Sequence, residues 1–155
     1  MLQIEIITVG KIKSDWIQEG FDHYTKLLSK FAETHFTSVR EADNASATTE
    51  QILAVESERI RKLLAPRAFA MLLDTEGKHY DSVAFSGLIS HAKLANSKLQ
   101  FIIGGAFGIS ADLKNDIKHH LSLSRMTFPH ELTTVVLLEQ LYRACSIEAG
   151  SKYHK

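Results

Sequence analysis

The sequence predicts an α/β fold, a three-layer sandwich built around a mainly parallel sheet. Three observations predict this class: apolar or alternating segments of strand length, helical segments between them, and strict alternation of the two along all 155 residues. Helices that connect successive strands return the chain to the same end of the sheet, which makes neighbouring strands parallel. Because no linker or internal repeat occurs, residues 1–155 are expected to form a single domain.

The first half of the chain predicts two strands and two helices. Residues 2–9 are rich in isoleucine and valine, which indicates a strand. Apolar residues at close to helical spacing, behind an N-cap serine, predict a helix over 14–31. In residues 34–42 apolar side chains alternate with polar ones, which is typical of a half-exposed edge strand. An amphipathic helix follows over 49–65, with Glu56 among the charged residues assigned to its polar side.

The second half predicts two buried central strands, each followed by a helix. Residues 68–74 are apolar on both faces of the pleat, which is typical of a central parallel strand, and residues 74–77 then turn the chain. A helix follows over 81–95, and residues 99–105 form the next buried strand. The helix after it is predicted over 109–120 and ends in two histidines, which cap the helix or face solvent.

The stretch from residue 99 to the C terminus is where we expect the functional site. A buried strand ends in Gly104 and Gly105, the dense block LSLSRMTFPH follows a short helix, and the final helix covers 131–150. This order brings glycine-lined backbone and polar side chains to the carboxyl ends of strands, where open α/β sheets bind ligands. The glycines alone leave two interpretations open, close approach of a ligand or a tight turn without one.

The final helix is apolar on more than one face, which is wider than packing on a sheet requires. A homodimer that buries the same patch of both subunits is the economical explanation. Within the helix, Glu139 and Arg143 have the i, i+4 spacing of an ordinary ion pair. An arginine held in this way is also a prepared contact for an anion, and the sequence leaves both interpretations open.

Composition and charge exclude several functional classes. The 18 lysines and arginines balance 18 aspartates and glutamates, so binding of nucleic acid by global charge is disfavoured, although a local basic patch stays open. One cysteine, no apolar stretch of membrane-spanning length and no signal-peptide pattern predict a cytoplasmic protein with no membrane partner. No phosphate-binding loop, nucleophile elbow or metal-ligand spacing occurs, so we expect no metal.

Three motifs near the C terminus carry a resemblance to a known family. They are GG-x-x-G, the run LSLSRMTFPHELTTVVLLEQLYRACSI and the tail KYHK, while VGKIK and LDTEGK extend the match in weaker form over the whole chain. The sequence resembles the ribosomal RNA large subunit methyltransferase H family, the pseudouridine N3-methyltransferases of the SPOUT class. The resemblance implies S-adenosylmethionine as methyl donor and a C-terminal trefoil knot. It also implies a homodimer that methylates N3 of a pseudouridine in 23S ribosomal RNA within the ribosome.

The resemblance also assigns residues to the site. It places the methyl donor against eight positions: Leu73, Gly104, Leu123, Ser124, Arg125, Met126, Thr127 and Phe128. Residues 123–128 would otherwise be predicted as a plain buried strand. Leu73, Ile103 and Met126 supply apolar walls for the adenine ring, and backbone amides and carbonyls are available to its polar edge.

Methylation of N3 requires loss of a proton, so a general base or a group that stabilises the developing anion is needed. The candidates are His130, Arg143, Tyr153 and His154. We expect Tyr153 and His154, on the tail, to close over the target base and Arg143 to stabilise the anion. A structural role stays open for His130, which follows a proline at a helix start. Which group accepts the proton also stays open.

Zero net charge is unexpected for an enzyme that acts on RNA. We therefore expect a local basic patch near the dimer cleft, formed by Lys11, Lys13, Arg125, Arg143, Lys152 and Lys155. Three alternatives to ribosomal RNA methylation stay open. They are methylation of transfer RNA, a non-catalytic ligand-binding module, and a non-catalytic dimer that binds ribosomes.

Overall fold

A computed structural model describes the whole chain, residues 1–155, as one five-stranded sheet with helices on both faces. Ten elements alternate along the chain: β1 (Leu2–Val9), α1 (Asp15–Leu28), β2 (Ala32–Val39), α2 (Thr49–Arg61), β3 (Phe69–His79), α3 (Ser82–Ala95), β4 (Lys98–Ile103), α4 (Ala111–Asp116), β5 (His119–Ser122) and α5 (His130–Glu148). The strand order is β2-β1-β4-β3-β5, and every neighbouring pair is parallel. The predicted α/β class with a mainly parallel sheet is confirmed.

Two hydrophobic clusters hold the layers together. Alternate side chains of a strand point to opposite faces of a sheet, and in β1 Ile4 and Ile6 join one cluster while Ile7 and Val9 join the other. The larger cluster packs α1, α3 and α5 on one face, and the smaller packs α2 and α4 on the opposite face. The predicted three-layer sandwich is confirmed. None of the five helices combines the length and apolar character needed to cross a membrane.

Helix α5 lies between α1 and α3 on the larger cluster. Three of its leucines are fully buried there, Leu137, Leu138 and Leu141. On one side, the hydroxyl of Ser86 in α3 donates a hydrogen bond to the carbonyl oxygen of Ala144 at 2.7 Å. On the other, a Cβ added to Gly20 in α1 would lie 3.3 Å from a methyl group of Val135. Neighbours within the same chain therefore cover α5, so its apolar width does not by itself require a second subunit, and the homodimer stays a prediction.

The predicted turn at residues 74–77 is wrong, because β3 continues through them to His79. These residues bulge out of the ladder with β5, in which Leu121 pairs first with Leu73 and then with Lys78. Gly77 permits the bulge, since a Cβ there would lie 2.8 Å from the backbone carbonyl carbon of the residue before Leu121. After the bulge, pairing with β5 resumes at Lys78 and His79.

The helix predicted over 109–120 is also wrong in its extent. Helix α4 ends at Asp116, and the two histidines belong to strand β5. From that strand the imidazole Nε2 of His120 lies 3.0 Å and 2.7 Å from the carbonyl oxygens of Lys114 and Ile117. His120 therefore does satisfy carbonyls at the helix C terminus, but from the adjoining strand rather than from the helix itself.

Elsewhere the predicted elements are present with shifted ends. Helix α1 ends at Leu28, strand β2 starts at Ala32, and helix α2 ends at Arg61, a few residues from the predicted limits. Ser14 is the N-cap residue of α1 as predicted, but its hydroxyl donates to a carboxylate oxygen of Glu131 at 2.9 Å instead of capping its own helix. The trefoil knot stays a prediction of the resemblance.

Candidate functional site

A cavity of about 830 Å³ opens at the carboxyl ends of β1 and β4 and at the bulge of β3. Three segments supply most of its wall: residues 72–75 of β3, residues 103–109 around the turn after β4, and residues drawn from 121–130 between β5 and α5. Ile52 and Glu56 of α2 contribute from the opposite face of the sheet to α5. Apolar and polar residues line the cavity in equal numbers, which suits a small molecule with a flat ring and polar edges.

The structure places seven of the eight predicted donor contacts on this cavity: Leu73, Gly104, Leu123, Ser124, Met126, Thr127 and Phe128. Arg125 does not line it and is exposed. The segment 123–128 is an irregular loop, because β5 ends at Ser122, and the prediction of a buried strand from pattern alone is wrong. Within the loop the hydroxyl of Ser124 accepts a hydrogen bond from the backbone N–H of Met126 at 3.0 Å, a turn that leaves Arg125 at its tip.

The glycine segment forms a tight turn that is also part of the cavity wall. Gly105 and Gly108 pair as an isolated bridge, and Gly108 has a φ of 82° that favours glycine. A Cβ on Gly104 would lie 2.8 Å from backbone atoms of Gly108 and 2.9 Å from a methyl group of Ile109. Gly104 is therefore required by close packing of the turn itself. The tight turn is confirmed, and because the turn also lines the cavity, close approach of a ligand stays a prediction.

His130 is the candidate catalytic residue that the structure brings to the cavity. It is the first residue of α5, after Pro129, and both residues line the cavity wall. Its ring Nε2 is buried and has no hydrogen-bond partner. Buried polar atoms are nearly always paired in native proteins, so this nitrogen is a polar group without a role in the fold's own hydrogen bonding.

The other three candidates assemble on Glu139, and we call Glu139, Arg143, Tyr153 and His154 the tail cluster. The Nε of Arg143 and the phenol of Tyr153 each donate to Oε1 of Glu139, both at 3.1 Å. The Arg143 guanidinium carbon lies 4.8 Å from the centre of the Tyr153 ring, within cation–π distance. The i, i+4 ion pair predicted from the sequence is confirmed, and it also anchors the tail.

The tail cluster raises the pKa values of two of its members, Arg143 and Tyr153. The hydrogen bond to Glu139 raises the pKa of Arg143 above its usual value, so the guanidinium stays charged. Burial, and then the hydrogen bond to Glu139, raise the pKa of Tyr153 to about 12, so the phenol stays neutral. Nδ1 of His154 lies 3.2 Å from Nη1 of Arg143. Since a guanidinium only donates, Nδ1 accepts in this contact, which leaves the ring proton on Nε2.

Within one protomer, the tail cluster and the cavity are far apart. Arg143 lies thirteen positions after His130 in α5, and a rise of 1.5 Å per residue puts the two about 20 Å apart. No member of the tail cluster lines the cavity. The predicted basic patch is divided in the same way, because the backbone of Lys13 bonds to Glu131 beside the cavity end of α5, whereas Arg143 lies toward the other end.

Sequence reasoning missed Glu56 as a cavity residue and assigned it to the polar side of its helix. The structure contradicts that assignment, since Glu56 is 5% exposed and lines the cavity. The signal was present in the spacing. Ile52, Glu56 and Ile60 follow at intervals of four and share one side of α2, and Ile60 is fully buried.

A second missed group fixes the bulge of β3 beside the cavity. Nδ1 of His120 lies 3.2 Å from Oδ2 of Asp74, and the ammonium of Lys114 lies 3.7 Å from the same oxygen. The other oxygen of Asp74 accepts the backbone N–H of Glu76 at 3.0 Å. Asp74 and Lys114 both line the cavity. His120 and Lys114 are far from Asp74 in sequence, so no local pattern connects them to it.

Comparison with known proteins gives full-length relatives. A family model described as "Predicted SPOUT methyltransferase" matches residues 2–154. A protein of Clostridium botulinum (strain Langeland) named "Ribosomal RNA large subunit methyltransferase H" is 42% identical over 99% of this chain and its own entire length. Proteins with the same name from Desulfitobacterium hafniense and Streptococcus pneumoniae are each 38% identical, over 100% and 99% of this chain.

A solved structure supports the fold. It is described as a probable methylase family protein from Haemophilus influenzae Rd KW20 and superposes with a TM-score of 0.58. The match covers 98% of this chain and 70% of that protein, at 11% sequence identity. At so low an identity the likeness concerns the architecture alone.

Proposed function

The chain belongs to the SPOUT methyltransferase family, and from that membership we propose that it transfers a methyl group from S-adenosylmethionine to 23S ribosomal RNA. The target that its sequence motifs favour is N3 of a pseudouridine, modified in the assembled ribosome. The observation that carries the proposal is a cavity at the strand ends whose wall contains the GG-x-x-G turn and the LSRMTF loop. These are the motifs on which the resemblance to the methyltransferase H family depends, and the full-length relatives of that name confirm the resemblance.

The cavity fits a nucleoside-bearing donor. S-adenosylmethionine supplies an electrophilic methyl group on a sulfonium centre. Leu73, Ile103 and Met126 offer apolar surface to an adenine ring, and the turn over 104–109 and the loop over 123–128 offer backbone N–H and C=O groups to its polar edge. For displacement of a methyl group from a sulfonium, the protein must align the donor with the nucleophile and exclude water, and no covalent intermediate with the protein is needed.

The protein acts as a homodimer in which the tail cluster of one protomer covers the cavity of the other. The separation of about 20 Å along α5 supports this, because one protomer cannot bring Arg143 to its own cavity. Arg143 stays positively charged beside Glu139, so it serves as a stabiliser of the N3 anion rather than as a base. Tyr153 is 37% exposed and offers a ring face for stacking on the target base.

The proposal is tested by methyl transfer from labelled S-adenosylmethionine to purified ribosomes. We expect incorporation into 23S RNA of ribosomes that contain pseudouridine, and none when the pseudouridines of the target stem-loop are absent. Naked 23S RNA should be a poor substrate, because recognition by shape requires the folded particle.

Two other outcomes would contradict the proposal. Incorporation into transfer RNA but not ribosomes would assign a different substrate to the same chemistry. Tight binding to ribosomes without methyl transfer to either RNA, and without heat of binding for S-adenosylmethionine, would indicate a non-catalytic ribosome-binding protein.

A further inference from the structure

Glu56 is a buried carboxylate at the cavity that the proposed mechanism does not use. It lies in α2, is 5% exposed and contributes to the cavity wall. Its Oε2 accepts the backbone N–H of Ala42 at 3.0 Å. Its Oε1 has no hydrogen-bond partner within the protein and lies against the glycine turn, where a Cβ on Gly105 would be 3.2 Å from it. One oxygen is therefore engaged by the fold, and the other is free beside the cavity.

No cation of the protein compensates this carboxylate. Glu56 takes part in none of the ion pairs of the chain. The only lysine on the cavity wall is Lys114, which faces the carboxylate of Asp74. A buried charge without a partner is strongly unfavourable, so such groups are normally paired with an opposite charge. Oε1 is accessible from the cavity. Because a carboxylate oxygen accepts hydrogen bonds and cannot donate them, a donor in the cavity can bind it, and a cationic donor satisfies the charge as well.

We propose that Oε1 of Glu56 binds the α-ammonium group of the methyl donor, which makes Glu56 a specificity-determining residue for the amino-acid portion of that molecule. This assignment rests on the proposed function. An ammonium pairs with a buried negative charge, whereas the neutral donors of the same ligand, the ribose hydroxyls and the adenine amino group, leave that charge uncompensated. Glu56 thereby distinguishes a complete donor from a nucleoside that lacks the amino-acid portion.

The test compares three ligands by isothermal titration calorimetry on the full chain and on Glu56→Gln. S-adenosylmethionine and S-adenosylhomocysteine carry the ammonium, and 5′-methylthioadenosine carries the nucleoside without it. Glutamine keeps an oxygen for the N–H of Ala42 but loses the negative charge. The matched control is Glu58→Gln, which removes the same charge from an exposed position on the same helix.

We expect Glu56→Gln to weaken both ammonium-bearing ligands roughly ten- to a hundredfold, the range for a lost charge-assisted hydrogen bond. Binding of 5′-methylthioadenosine should change by less than about twofold, which also reports that the variant is folded. Glu58→Gln should bind all three ligands as the unaltered protein does. Methyl transfer is not needed as a readout.

Three results would overturn the assignment or its premise. Unchanged affinity of Glu56→Gln for S-adenosylmethionine excludes the contact. Equal weakening of all three ligands shows that Glu56 acts on the nucleoside or on the fold of the wall rather than on the ammonium. If the unaltered protein binds none of the three, the proposed function fails, and this assignment fails with it.

Discussion

Glu139 organises the candidate catalytic residues of the tail through one oxygen. Its Oε1 accepts hydrogen bonds from both Arg143 and Tyr153, and Arg143 in turn contacts His154. Its partners extend over the last two turns of α5 and the residues after it, so the i, i+4 spacing predicted only the first contact. The position of the tail depends on how residues 149–152 turn back, and side-chain periodicity carries no information on that turn.

The first prediction concerns the ionisation of Tyr153. Glu139→Gln should lower the pKa of Tyr153 from about 12 part of the way to its ordinary value of 10.0, because burial remains and the carboxylate is lost. A raised phenol pKa favours the folded state below pH 10 and loses that contribution as the pH rises toward 12. Carbon-13 NMR of labelled tyrosine, assigned with Tyr153→Phe, measures the pKa. An unchanged titration in Glu139→Gln would contradict the contact.

The second prediction concerns Arg143. The planar guanidinium of Arg143 donates hydrogen bonds to Glu139 and at the same time stacks on the ring of Tyr153. Lysine keeps the positive charge at this position, but its ammonium group cannot make both contacts at once. Arg143→Lys should therefore lower the single-turnover rate of methyl transfer about a hundredfold, as loss of one stabiliser of a developing anion does. The affinity for S-adenosylmethionine, measured by calorimetry, should not change. A normal rate would remove Arg143 from the proposed mechanism.

At the scale of elements, the sequence predicted all five helices and four of the five strands, and it failed where segments distant in sequence meet. It missed β5, whose two histidines were assigned to the end of the preceding helix. The bulge of β3 exists because Leu121 of β5 pairs with two of its residues, and α4 ends where His120 reaches its carbonyls from the next strand. Neither contact leaves a local signature. Glu56 is different, because its spacing of four residues from both Ile52 and Ile60 indicates a buried side of α2. The sequence prediction followed its charge instead and assigned it to the polar side.

The third prediction compares two glycines. Gly104→Ala should lower the free energy of unfolding by about 1–3 kcal/mol, since the added carbon meets the backbone of Gly108 at 2.8 Å. Gly87→Ala, in the exposed interior of α3 with nothing within 4 Å of the added carbon, should raise it by roughly 0.5–1 kcal/mol. Urea denaturation measures both, and calorimetry should show weaker donor binding for Gly104→Ala alone. Equal stability of the two variants would contradict the packing of the turn.

At the scale of the whole molecule, alternation of strands and helices was enough to predict a layered parallel sheet. The strand order was not predictable, because it depends on crossovers between distant strands. The resemblance contributed the site residues, which no periodicity marks. The structure adds that those residues form two groups at opposite ends of α5. The argument for a dimer therefore depends on the distance between the two ends of α5, which prevents one protomer from bringing both groups together, and no longer on the apolar width of that helix.

The fourth prediction tests a site shared between protomers. Thr127→Trp fills the cavity of its own chain, and Arg143→Ala disables the tail cluster of its own chain. Each homodimer should be inactive. A heterodimer of the two, isolated with two different affinity tags, contains one unaltered cavity facing one unaltered tail and should regain about half of the normal methyl transfer. No recovery in the heterodimer would mean that each protomer works alone.

The strand order also governs when this protein can begin to fold during its own synthesis. Strand β1 pairs with β2 and with β4, and β3 pairs with β4 and β5, so the middle of the sheet stays open until residues 98–122 have been made. Pairings across such long loops are slow to form. A nascent chain released early would lack the segments that form the cavity for a nucleoside. The protein can therefore modify RNA only after its last segment has been translated.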